Sequence, residues 1–222
     1  MTETPQKPAP PINARAQSER AAICDLFAQV GPDAPTLCEG WATRDLAAHL
    51  VIREGRLDTS MGAFIPPLKA WTKHVQDKKA NLEWPKLIDK VRTGPPRTSM
   101  MRIASVDGAA NTLEFVIHHE DVRRATPGWT PRDLDPEFAE DIWARLAKFG
   151  RLFRNAEVGV ILARPDGSTH VSKEAPEGRG SVTLTGEPLE LALRSYGRME
   201  SHVEVTGAAE DIVAFNSVKP GF

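Results

Sequence analysis

Three residues, His49, Glu114 and His118, have the types to hold a metal ion, and Asp121 stands where it could support them. In Asn111-Thr-Leu-Glu114-Phe-Val-Ile-His118-His-Glu-Asp121, the glutamate, the histidine and the aspartate fall at i, i+4 and i+7. On a helix they form one stripe beside Leu113 and Ile117, and His119 points well away. A glutamate and a histidine one turn apart can ligate the same cation. The plainer reading is an exposed face of paired charges. Against it, the stripe borders apolar positions, where a partly buried glutamate without a partner is costly.

His49 stands in Asp45-Leu-Ala-Ala-His49-Leu50. At about 100° per residue, His49 and Arg53 flank the Leu46, Leu50 and Leu57 stripe, so His49 faces an interior, either as a ligand or as a hydrogen-bonded core histidine. A bundle that sets His49 opposite Glu114 and His118 supplies two imidazoles and one carboxylate, with at least one coordination position open. Three protein ligands plus water is the pattern of catalytic zinc, and the same set suits non-haem iron(II). Asp121 could then orient His118 or a bound water, or else form a surface ion pair with Arg123 or Arg124. Arg53 is either a handle for an anionic ligand, or an inward structural pair with an acid. Cys24 reads as core; Cys38, just before Glu39-Gly40-Trp41, could approach the mouth of the site, but reads first as a loop cysteine packed on Trp41 rather than a catalytic one. His74, His170 and His202 lie among polar residues and read as solvent-exposed.

The elements that must position these groups are helical up to about residue 155. Ala16, Ile23, Leu26, Phe27 and Val30 form a stripe stopped by Gly31-Pro32. A second helix starts with Thr43 as N-cap and Asp45 in its first turn. Residues 58–96 read as a broken helical segment holding Trp71, the Lys73–Lys79 patch and Trp84–Ile88, closed by Gly94-Pro95-Pro96. A third helix covers about 107–125. The fourth opens with Asp135 as N-cap and Pro136 at the first helical position, and runs through Ile142, Trp143, Leu146, Phe149 and Leu152. Four such helices predict a four-helix bundle. Beyond Asn155, strands are expected at 158–163, around His170-Val171, at 181–185 and at 203–205, with helices after Pro188 and around 210–215. The expected fold is α+β in two parts: a disordered tail over 1–12, a helical bundle over 13–155 and a small α+β domain over 156–222.

Composition narrows the function. The 222 residues carry 28 Lys+Arg against 30 Asp+Glu, a net charge of −2, which argues against a nucleic-acid-binding surface across the whole chain. An apolar share of 41% with 26% charged residues is that of a globular protein, and no apolar run approaches the roughly 20 residues of a membrane span. Residues 1–11 are polar and Pro-rich without the apolar core of a signal peptide. Two cysteines cannot build a cysteine zinc site, and both are expected to be reduced thiols in a cytoplasmic protein.

The segment Pro35-Thr-Leu-Cys-Glu-Gly-Trp41-Ala-Thr-Arg-Asp45-Leu-Ala-Ala-His49-Leu resembles the N-terminal signature of the mycothiol-dependent maleylpyruvate isomerase family, DinB-like metal-binding four-helix bundles. Glu114-x-x-x-His118-x-x-Asp121 is similar to that family's second metal motif. Gly186-Glu-Pro-Leu-Glu-Leu191 and Tyr196-Gly-Arg198 resemble its appended sterol-carrier-like α+β domain. The segments are also similar to actinobacterial members of the family whose substrate is unassigned. The resemblance implies a metal triad of His49, Glu114 and His118, with Arg53 and Asp121 as catalytic candidates. It implies a divalent metal, zinc first and iron or nickel as alternatives, together with a mycothiol-like thiol. Its partners would be that small thiol and a small electrophile, with no nucleic acid and no membrane, and its reaction S-transfer or isomerisation. A metal-dependent hydrolase and a non-catalytic metal-binding protein are the alternatives. Arg198 resembles a position of the family that could close over the site.

Overall fold

A computed structural model describes residues 13–55, 81–96, 99, 102–148 and 152–218. Leu57, Trp71, His74, the Lys73–Lys79 patch, Phe149 and the tail over 1–12 lie outside the described residues. The chain divides into two compact units, 1–129 and 130–222.

The first unit is helical. Its described helices are α1 (Ala14–Val30), α2 (Thr43–Gly55), α3 (Trp84–Thr93) and α4 (Ala104–Arg123). Helix α1 packs on α3 and α4, and α2 packs on α3. Ile23, Cys24, Phe27, Leu46, Ala47, Leu50, Leu87, Ile88, Val91, Phe115 and Val122 form the shared core. All four helices contribute, as a bundle requires when each helix buries one stripe.

Local chemistry sets the ends. Gly31 ends α1 at φ 85°, a left-handed turn that favours glycine, with its N–H on the Phe27 carbonyl at 3.1 Å. Thr43 does not cap α2 as expected. It is already helical, and its Oγ1 donates to the Gly31 carbonyl at 2.6 Å, tying α2 to the end of α1. Asp45 Oδ2 accepts the Ala42 N–H at 3.0 Å, satisfying a donor at the helix start. Helix α4 begins three residues before its expected start at 107.

The second unit holds α5 (Pro136–Lys148), β1 (Gly159–Ala163), β2 (Thr169–Lys173), β3 (Ser181–Thr185), α6 (Pro188–Ser195), β4 (Glu204–Thr206) and α7 (Ala209–Ser217). Asp135 Oδ1 accepts the Phe138 N–H at 3.0 Å, the N-cap expected of it. The sheet order is β2-β1-β3-β4, with β1 parallel to β3 and antiparallel to β2, and β3 antiparallel to β4. Val160 pairs Val182 and Leu162 pairs Leu184, and all four are buried. They mark the covered face of the sheet, as a period of two dictates. Helix α6 is buried along nearly its whole length, α7 packs on β3, and α5 packs on α6 and reaches β2.

The expected division at 155 and the observed one at 129 differ by one helix. The segment read as the bundle's fourth member, α5, belongs to the unit with the sheet, and the segment read as broken contributes α3 to the bundle. An apolar stripe shows that a helix buries one face, but it carries no record of the surface that covers it.

Candidate metal centre

Helices α2 and α4 bring His49, Glu114 and His118 together. Glu114 Oε1 lies 3.2 Å from His49 Nε2 and 3.3 Å from His118 Nε2, and the three atoms lie within 4.8 Å of one another. Ligand atoms each about 2.0–2.2 Å from one tetrahedral cation stand about 3.4 Å apart. Two of the three edges already have that length. Two borderline imidazole nitrogens and one carboxylate oxygen are also a donor set that zinc and its neighbours accept. The His49 side chain is 32% exposed against 12% for His118, so the group can be reached from the His49 side.

The neighbours of the triad fix its rings. Asp121 is wholly buried, and its Oδ2 accepts the His118 Nδ1–H at 2.8 Å. A carboxylate offers only lone pairs, so the proton sits on Nδ1 and a neutral His118 presents its Nε2 lone pair to the triad. Arg123 and Arg124, the alternative ion-pair partners, both bind Glu120. The Trp41 ring packs on His49 with centroids 5.2 Å apart. His119 turns away, as the spacing predicts, and pairs with Glu19 of α1 at 2.9 Å.

Arg53 is engaged from both sides. Its Nε lies 3.1 Å from Glu114 Oε1, and its Nη1 donates to Asn111 Oδ1. That is the inward pairing with an acid which the sequence left open beside the anion-handle role. Asn111, fully buried, donates through Nδ2 to Glu54 Oε1 at 2.6 Å and Asp107 Oδ1 at 2.7 Å. Arg20 closes the network, donating both Nη atoms to Glu54 and lying 3.5 Å from Asp107. In the second unit, Arg198 donates to the Tyr196 carbonyl at 2.6 Å.

Sequence reasoning missed Asn111, Glu54 and Arg20, polar residues in stripes that look like solvated faces. It preferred a Cys38 packed on Trp41 to one that approaches the site. Cys38 Sγ lies 3.2 Å from Asp121 Oδ2 and 3.8 Å from His118 Nδ1. The one available signal was that Cys38 directly precedes the Glu39-Gly40-Trp41 turn leading into the His49 helix. Cys24 is core as expected, and burial pushes its thiol up to about 12, which keeps it protonated at neutral pH.

Burial alone would raise the Glu114 carboxyl, but hydrogen bonds from His118 and His49 and the Arg53 charge outweigh it and hold Glu114 well below the carboxylate range. Burial alone would likewise lower His118. Its hydrogen bonds to Asp121, Cys38 and Glu114, with the Glu114 charge, outweigh that and raise it well above the ordinary 6.5. Without a cation, the centre therefore holds a proton on His118.

A pH dependence follows. A cation must displace the His118 proton, so affinity should climb about tenfold per pH unit below the His118 value, and binding at pH 7 should release about one proton per ion into weakly buffered solution. The metal-free fold behaves in the opposite sense. The raised His118 contributes stability below its unfolded value and loses it as pH rises through the folded value; Glu114 loses its share only as pH falls through its depressed value. Calorimetric titration in two buffers of different ionisation enthalpy checks the proton count.

No protein-family model matches the sequence, and no curated protein sequence matches it. Two solved structures are similar to it: the mycothiol-dependent maleylpyruvate isomerase and a histidine-to-alanine mutant of that enzyme. Each has a TM-score of 0.60 at 14% identity, covering 88% of this chain and 91% of that one. The fold is α+β, that of the mycothiol-dependent maleylpyruvate isomerase. At this identity the likeness is one of fold. Among the described residues, no helix is long and apolar enough to cross a membrane.

Proposed function

We propose that the chain is a divalent-metal-dependent enzyme that uses a low-molecular-weight thiol of the mycothiol type to isomerise a small electrophile or transfer sulfur to it. The observation that carries this reading is the convergence of His49 Nε2, Glu114 Oε1 and His118 Nε2 from two helices at the spacing of ligands to one cation. The mycothiol dependence of the structural neighbours supports the choice of thiol. Zinc is the first candidate, with iron or nickel as alternatives.

Each residue has a role. A divalent cation supplies one thing here: it favours thiolate over thiol at neutral pH. Glu114 brings the negative charge, and Arg53 holds its Oε1 in place. Asp121 keeps the proton on His118 Nδ1 and leaves Nε2 free to bind. His49, backed by Trp41, forms the accessible side.

The test is turnover of an electrophile panel that includes maleylpyruvate, by protein assayed with and without metal and with and without mycothiol. Activity that requires both supports the proposal. Metal-dependent hydrolysis with no use of millimolar thiol would assign a hydrolase instead. Loss of fold on metal removal with no turnover under any condition would leave a non-catalytic metal-binding protein.

A further inference from the structure

The loop between α1 and α2 is fastened to α4 at Asp121 through both its backbone and its side chain. The Leu37 N–H donates to the Asp121 carbonyl at 3.0 Å, and the Cys38 thiol donates to Asp121 Oδ2 at 3.2 Å. The same Oδ2 accepts the His118 Nδ1–H. The loop is braced from within. Pro35 and Ala42 form a β-bridge, Thr36 Oγ1 donates to the Trp41 carbonyl at 2.8 Å and accepts the Cys38 N–H at 3.2 Å, and the Trp41 N–H reaches the Cys38 carbonyl at 2.9 Å. One short turn thus carries the ring that packs on His49 and the thiol that meets the partner of His118.

We infer that Cys38 is a positioning residue: its thiol holds the buried Asp121 carboxylate in the orientation that aims His118 at the cation, and so sets metal affinity without being a ligand. This rests on reading His49, Glu114 and His118 as the cation site. Asp121 cannot swing into water, so the groups that donate to it decide where its oxygens point. Cys38, His118 and Asp121 also lie close enough together to be considered a ligand group themselves. One distance argues against that. His118 Nδ1 and Asp121 Oδ2, at 2.8 Å, stand at hydrogen-bond length, well short of the roughly 3.4 Å between two ligands of one cation.

The experiment is titration of the metal-stripped full chain with Co2+, followed by its visible and near-ultraviolet spectrum. The variants are C38S, C38A, C38V, D121A and the C38A/D121A double variant. Removing the partner of a ligand's partner should act on the scale of outer-sphere substitutions, about 10–100-fold in affinity. We expect C38A and C38V to weaken Co2+ by that factor and C38S, whose hydroxyl still donates, to recover most of it. The double variant should bind no more weakly than D121A alone, since both changes act through one carboxylate. C38V keeps the packing volume, so its comparison with C38S carries the test if C38A does not fold. Wild-type affinity in both C38A and C38V, with binding lost in H118A, would overturn the positioning role and leave the cation site standing. A sulfur-to-cobalt charge-transfer band present in wild type and absent from C38V would overturn it by making Cys38 a ligand. Failure of wild type to bind Co2+ at all would remove the cation site, and this inference with it.

Discussion

Glu114→Ala should abolish stoichiometric metal binding, and so should His49→Ala and His118→Ala, while His119→Ala should leave it intact. Protein zinc sites bind with roughly 10–16 kcal/mol, so one of three ligands carries several kcal/mol and its loss weakens binding on the order of a thousandfold. Glu114 is the most exposing choice, because its Oε1 meets His49, His118 and Arg53 together. Glu114→Gln keeps the shape and removes the charge, and should fall between wild type and alanine. His119→Ala breaks the buried contact with Glu19 and should cost about 1–3 kcal/mol of stability with little change in affinity. Calorimetric titration and a thermal melt of each variant separate the two effects. Retained binding in Glu114→Ala, or lost binding in His119→Ala alone, would mean that the face of α4 has been misassigned.

The second large effect lies beneath the centre and is one of stability. Arg20→Leu should destabilise the metal-free protein by about 3–5 kcal/mol, the usual result of deleting one partner of a buried ion pair. Arg20, Glu54 and Asp107 are each 2% exposed. Without the guanidinium, both carboxylates stay buried, with amide donors from Asn111 and, for Asp107, from Asn13 and Gln17. Arg20 also stacks on Phe115 at 4.4 Å, and Gly94 leaves room for it: a Cβ there would stand 3.3 Å from Arg20 Nη1. Arg20→Lys should recover only part of the loss, because a point charge cannot reproduce the two-pronged contact with Glu54. By contrast, the solvent-exposed pair of Arg92 and Asp25 should cost less than about 1 kcal/mol when Arg92 is replaced by alanine. Denaturant melts of the three variants rank them. Equal losses for Arg20→Leu and Arg92→Ala would contradict the account.

The sequence made one half of the centre legible and hid the other. Helical periodicity placed Glu114 and His118 on one stripe and turned His119 away, and His49 followed from the Leu46 and Leu50 face. Those inferences need only the local geometry of one helix at a time. Cys38 and the Arg20–Glu54–Asn111 network depend on which helices cross and at what height, a property of the packed unit rather than of any segment. The same limit moved α5 between units: its stripe was read correctly and its partner was not. The strands fared better, since alternation within five residues and a Pro-Asp-Gly turn define a strand without reference to its neighbours.

Elemental analysis of the protein purified without an affinity tag, repeated after stripping and reloading with zinc, asks whether His49, Glu114 and His118 hold a cation. About one divalent ion per chain is expected, retained through gel filtration at pH 7 and absent from His118→Ala. A wild-type chain that takes up no ion from saturating zinc, or that holds as much after the His118 substitution, would contradict it.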